Sequence, residues 1–221
     1  MVYCQCEGIE RRFNRERVTQ ELEHYRERGA AKTTRLLIEA LQTEPLEGLT
    51  LLDIGGGIGA IAHALVPAGV SHALDVDASA AFIAAAHEEA ERRGLAERMH
   101  FVHGNFVELA PTLPAADLVT LDRVICCFDD MPALVSLSAA RAKQLYGLVF
   151  PRDTWWTRLF GQARTVLLAL ARNPMRFYVH SAAAVDAVVR AHGLERKSSR
   201  VVGLWQVVIY ARSAPFTANA S

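Results

Sequence analysis

The chain has 221 residues, 51% of them hydrophobic and 22% charged, with 24 basic side chains against 24 acidic ones. That length holds one α/β domain with a large core, and that composition excludes disorder over most of the chain. The even charge balance offers no broad electrostatic footprint for nucleic acid.

In chain order, residues 1–47 read as an N-terminal helical cap. Val18, Leu22 and Tyr25 share one helical face, and Leu36, Leu37, Ala40 and Leu41 form a second stripe beyond Gly29. From residue 49 the pattern alternates between strand and helix. LTLLDI, ending at Ile54, is an apolar run suited to a strand buried on both faces, and a helix is predicted over 58–66. SHALDVD is the second strand, followed by a helix that begins at the cap Ser79 and stops at Gly94. MHFVHG, ADLVTLD and YGLVF are strands three, four and five. Helices are predicted at 131–143, 154–172 and before Gly193. LERKSSRVVG and LWQVVIYAR then read as two strands joined by a tight turn at Gly203 and Leu204. The expected fold is a Rossmann-like, doubly wound α/β sheet with one reversed strand, residues 48–213, followed by a flexible tail at 214–221.

No apolar segment of a secretion signal opens the sequence, and the most apolar later run, 159–171, is interrupted by Arg164 and too short to span a bilayer. A cytoplasmic protein is expected. Cys126 and Cys127 are adjacent and lack the C-x-x-C spacing of a zinc site, so neither a metal nor a disulfide framework built with Cys4 and Cys6 is expected.

The chemistry concentrates in LLDIGGGIG. Gly55, Gly57 and Ala60 fit a dinucleotide pattern, whereas Gly55, Gly57 and Gly59 fit the G-x-G-x-G of S-adenosylmethionine enzymes. Either ligand uses the unpaired amides at the start of the following helix. Asp53, two residues before the first glycine, disfavours a pyrophosphate and suits an ammonium or sulfonium group; its plainer role is to order the loop. Asp77, followed by Ala78, ends strand two and can accept bonds from both ribose hydroxyls, with Asp75 as the competitor. Asn105 can offer its side-chain carbonyl to an adenine amino group, and Phe106 can stack on the base or pack in the core. Asp122 ends strand four, facing either the cofactor's amino group or the substrate, or capping a loop.

Together these motifs resemble the class I S-adenosylmethionine-dependent methyltransferase family. LLDIGGGIG resembles its first motif, ALDVDAS its second-strand acid, FVHGNF its adenine-side motif and ADLVTLD its fourth strand, over about residues 33–212. The resemblance implies a seven-stranded sheet in the order 3-2-1-4-5-7-6, and S-adenosylmethionine held by Gly55, Gly57, Gly59 and Asp77. A narrower resemblance is to magnesium-protoporphyrin O-methyltransferases, which share a helical N-terminus, a similar length and a D-V-L-I-H-Y-P-like sequence after strand four. DRVICCF, residues 122–128, places Cys126 where that pattern carries His and Phe128 where it carries Pro.

The expected reaction is in-line methyl transfer to a small molecule, anionic or partly apolar, at oxygen. Asp122, Tyr25 and Cys126 are the catalytic candidates, and His24, Tyr25, Arg123, Trp155, Trp156 and His180 are the substrate candidates. A substrate carboxylate is a natural partner for Arg123. Helix-end packing is the plainer role of His24 and His180. The arginines between residues 152 and 176 suit an anionic ligand or lipid headgroups, and more plainly a solvated helix face. Two rivals remain: a protein that binds the cofactor without turnover, and an NAD(P)-dependent reductase.

Overall fold

The computed structural model describes residues 4–212, with side-chain detail from residue 8 onward. The expected tail at 214–221 and the thiols of Cys4 and Cys6 lie outside the described residues. Three helices come first: α1 (Cys4–Arg12), α2 (Arg15–Arg28) and α3 (Lys32–Leu41). The sequence reading expected two. Asn14 starts a new helix, because its side-chain oxygen accepts from the Arg17 amide at 3.1 Å.

Seven strands follow: β1 (Thr50–Ile54), β2 (His72–Asp77), β3 (Met99–His103), β4 (Ala116–Asp122), β5 (Ala142–Pro151), β6 (Leu194–Val202) and β7 (Trp205–Arg212). They form one sheet in the order β3-β2-β1-β4-β5-β7-β6, with β7 antiparallel to both its neighbours. This is the expected order. Between the strands run α4 (Ala60–Leu65), α5 (Ala80–Arg92), the single turn α6 (Phe106–Leu109), α7 (Met131–Ala139), α8 (Trp155–Leu170) and α9 (Ala182–Ala191). Helix α7 is shorter than predicted and β5 longer, since Ala142 already pairs with Ala116 on β4. Local helical periodicity at 140–143 yields there to strand pairing.

Two apolar layers sandwich the sheet. Leu52, Val119, Leu148 and Tyr210 pack under α7 and α9, while Leu51, Leu118, Val149 and Ile209 pack under α3 and α4. A third cluster joins Val18, Leu22 and Tyr25 of α2 to Phe82 and Ala85 of α5, which lays α2 across the carboxyl ends of β1 and β2. An ion cluster fastens this cover. Glu89 of α5 accepts from Arg26 of α2 at 2.8 Å, from Arg92 at 2.6 Å and from Arg93 at 2.7 Å.

The Glu89 side chain has no exposed surface, yet its guanidinium partners reach into water, so its surroundings are only partly desolvated. The bonds from Arg92, then those from Arg26 and Arg93, hold its carboxyl far below the ordinary range. A depressed acid stabilises the fold above its ordinary pKa and stops doing so only in strong acid. Glu89→Gln is expected to lower stability at neutral pH by about 1–3 kcal/mol, measured by urea unfolding, and to leave the strongly acidic limit unchanged.

Candidate functional site

β1 and β4 are neighbours whose following connections leave on opposite sides of the sheet, so a crevice opens at their carboxyl ends. Beneath α1, α2 and α8 this crevice widens into a cavity of about 400 Å3. One end is formed by the loop after β1. Gly55 and Gly57 have φ of 67° and 61°, which side chains seldom adopt, and a Cβ on Gly55 would enter Val124. Gly59 (φ 78°) lies behind the loop as the first cap of α4.

Asp77 organises this end. One carboxylate oxygen accepts from the Ser79 amide at 2.8 Å and the other from the Gly57 amide at 3.0 Å. Burial pushes its pKa up to about 6 against the pull of those two amides. Asp77 lines the cavity together with Ala78, Asn105 and Phe106, whereas Asp75 does not. Asn105 caps α6, its Oδ1 accepting from the Val107 amide at 3.1 Å while its Nδ2 donates to Glu108 at 3.2 Å. One lone pair of that oxygen is therefore already committed.

Asp53 departs from expectation. It lies fully buried beneath the loop and off the cavity wall, its Oδ1 accepting from the Thr120 hydroxyl at 2.7 Å. Its register partner on β2 is Asp75, equally buried and without a hydrogen-bonded side-chain oxygen. Burial raises both carboxyls, Asp53 to about 7 and Asp75 well above the ordinary carboxylate range, the latter also through the charge of Asp53. A part-protonated acid under the loop is not a fixed anion facing a ligand, so the argument from repulsion of a pyrophosphate falls; the loop-ordering role remains. Asp75 also explains Gly56, which the sequence reading passed over: a Cβ there would stand 2.5 Å from its carboxylate.

The other end is formed by the cap and by β4's exit. Asp122 accepts from the Thr34 hydroxyl at 2.5 Å and from Arg123 Nε at 3.2 Å. Arg123 takes φ of 61°, a strained conformation for a non-glycine residue, held by its amide bonded to the Val149 carbonyl at 2.8 Å. His24 and Tyr25 both border the cavity, His24 from an exposed position. The Tyr25 hydroxyl meets His63 Nδ1 at 3.5 Å. Burial lowers the His63 pKa to about 4, so its ring is neutral at physiological pH.

Four further candidates are corrected. Cys126 borders the cavity, but its thiol donates to the Arg123 carbonyl at 3.1 Å, and its contact with Cys127 and its burial raise its pKa. It is a wall and not a base. Trp155 and Trp156 turn outward, because α8 packs inward through Thr157, Gly161 and Leu168; the tryptophan that does border the cavity is Trp205. His180 lies off the cavity, its Nε2 at 2.8 Å from the Phe128 carbonyl. Arg17 and Glu21, missed in the sequence, were legible as i, i+4 and i+7 neighbours of His24 on α2. Thr34 carried no such signal, whereas Arg164 is one of the arginines of 152–176 expected to suit an anionic ligand.

The group implied by the sequence resemblance fits this cradle. A Cβ on Gly57 would meet nothing nearer than the Phe82 ring at 3.9 Å, and Asp77 has lone pairs left after its two amide bonds for a pair of hydroxyls.

Comparisons with known proteins agree. Residues 1–142 match the O-methyltransferase domain. The ribosomal protein L11 methyltransferase of Photorhabdus laumondii is 37% identical over 71 residues, 32% of this chain and 24% of that protein. That of Yersinia pestis is 30% identical over 112 residues, 49% of this chain and 36% of its own length. The chain thus spans between a quarter and little more than a third of these curated relatives. In fold it resembles the magnesium protoporphyrin IX methyltransferase of Synechocystis PCC 6803 with bound SAH. That likeness has TM-score 0.67 at 19% identity over 82% of this chain and 83% of that one. An O-methyltransferase family protein from Burkholderia thailandensis gives 0.70 at 17% identity over 92% and 61%. With the sheet order, the glycine cradle and the matched domain in agreement, the chain belongs to the O-methyltransferase domain family, whose cofactor is S-adenosylmethionine.

Proposed function

We propose that the chain transfers a methyl group from S-adenosylmethionine to an oxygen of an anionic, partly apolar small molecule held between the cap and the sheet. The carrying observation is the charge of the far wall. Arg17 and Arg164 border the cavity, and among the described residues neither they nor Arg12 has a carboxylate partner. The Nε atoms of Arg12 and Arg164 are buried without a hydrogen bond. Burial first, then the charges of Arg17 and Arg164, lower the Arg12 pKa. Phe13, Met175 and Phe177 surround these cations with apolar surface, and Arg164 stacks over Phe177 at 5.3 Å from its centroid. An anionic ligand with an apolar body relieves both the repulsion and the unmet donors.

The sulfonium cofactor supplies an electrophilic methyl group. In this reading Gly55, Gly56 and Gly57 let the backbone approach its amino-acid end, Asp77 accepts from its ribose, and Asn105 with Phe106 meets its base. Asp122, fixed by Thr34 and Arg123, orients the acceptor from the opposite side. Tyr25 stands between the acceptor and His63. The acceptor reacts as its ionised oxygen, oriented by the Tyr25 hydroxyl, and His63, which burial keeps neutral, takes no proton. Alignment supplies the rest of the rate.

A second reading has a specific motive: the L11 methyltransferases named above act on a protein. An acceptor side chain would then have to enter beneath α1 and α2. Thermal unfolding and labelled transfer separate the readings. S-adenosylhomocysteine is expected to raise the unfolding temperature while NADH does not, and label from an extract is expected in small molecules and not in precipitated protein. Stabilisation without any transfer would instead identify a silent binder.

Two variants test the assignments. Tyr25→Phe is expected to lower turnover roughly a hundredfold while leaving S-adenosylhomocysteine affinity unchanged, read by single-turnover kinetics beside calorimetry. Asp77 binds hydroxyls best when ionised. Its raised pKa means that affinity is full above pH 6 and falls as the proton returns below it. Calorimetric titration of Asp77→Asn should show roughly ten- to a hundredfold weaker binding at neutral pH and no inflection near pH 6.

A further inference from the structure

Helix α8 carries apolar side chains on two faces. The inner one, Thr157, Gly161 and Leu168, packs toward Phe177 and Val179. The outer one is bare: Trp155 is 78% exposed, Leu170 77%, Leu167 66%, and Leu159 and Val166 58% each. At 100° per residue these positions, with Phe160, fall on one continuous stripe and not at scattered points. Apart from Val201, every large exposed hydrophobic residue described belongs to this helix.

The charges around the stripe say what covers it. Residues 152–176 contain five arginines and a single acid, Asp153, in a chain whose net charge is zero. Asp153 is taken by Arg158 at 2.7 Å. Arg172 and Arg176, just beyond the helix, are exposed and have no carboxylate partner among the described residues. A second copy of this face is a poor cover, because the one acid it brings, Asp153, is already taken by Arg158 and cannot match both Arg172 and Arg176. An anionic lipid surface meets both halves of the pattern. Its phosphates take the arginines, its acyl boundary takes the leucines, and tryptophan favours the zone between. The helix has 16 residues, and none of the described helices is long and apolar enough to cross a membrane, so the fitting arrangement lies in the plane of the surface.

We propose that the outer face of α8 docks on an anionic membrane, its apolar stripe in the acyl boundary and Arg172 and Arg176 on lipid phosphates. This goes beyond the methyl-transfer reading and does not rest on it. Arg164, on the same helix, borders the cavity, so a docked molecule presents its far wall close to the lipid.

Sedimentation of the full chain with vesicles tests it. Binding to vesicles of equal parts phosphatidylglycerol and phosphatidylcholine is expected, roughly tenfold or more tighter than to phosphatidylcholine alone, weakening with salt. Tryptophan emission should shift to the blue on binding. Leu167→Glu with Leu170→Glu should abolish binding and leave the unfolding temperature unchanged, since both side chains already stand in solvent. Arg172→Gln with Arg176→Gln should bring anionic vesicles down to the affinity of neutral ones. The proposal is overturned if the native chain ignores both vesicles or binds them equally. It also falls if the chain is a dimer in solution that the Leu167→Glu, Leu170→Glu pair splits into monomers.

Discussion

The two hydrogen bonds that Asp77 accepts hold the molecule's working end in register. One comes from the loop after β1 and the other from Ser79, the cap residue of α5. A single carboxylate thereby ties together two strands, the glycine turn and a helix start. Ser79 extends the tie, capping α5 and donating from its hydroxyl to the Phe13 carbonyl at 3.2 Å. Glu10 of α1 meets the Ala80 amide and His103, each at 3.0 Å. The cap is therefore anchored to the same few residues that shape the cofactor end. Burial opposes the charge on which this depends, and the amides are what keep it within reach of neutral pH.

The two ends of the cavity are electrostatic opposites. Around the glycine loop the ionisable groups are acids, Asp77 in the wall and Asp53 and Asp75 behind it. Around α1, α2 and α8 they include the cations Arg17 and Arg164, set among aromatic rings, with Glu21 as the acid beside them. The loop after β1, where the family resemblance lies, forms the first end, and α1, α2 and α8 form the second.

The sheet was legible because burial on both faces leaves little choice. Strands such as LTLLDI and ADLVTLD are apolar throughout and end in an acid where the layers open. The hairpin was legible because two residues cannot hold a crossover helix. Periodicity failed where it says which face is apolar but not what covers it. Trp155 and Trp156 are apolar residues on a helix with two apolar faces, and only tertiary packing through Gly161 decides which one turns inward. Asp53 was misread for a related reason. Its position in sequence is that of a ligand-facing acid, but the pleat directs it beneath the loop, beside Thr120 and Asp75. Thr34 reaches the cavity from a helix distant in sequence, and no local pattern announces such a meeting.

Gly56 and Asp75 illustrate how tightly the space behind such a site is shared. Neither residue has a special backbone angle or a catalytic bond to explain it. Each is explained by the other, the missing side chain making room for a carboxyl that has nowhere else to go. An alanine at position 56 would force the buried Asp75 carboxyl to move within a filled core, so the volume available to the one residue is set by the other.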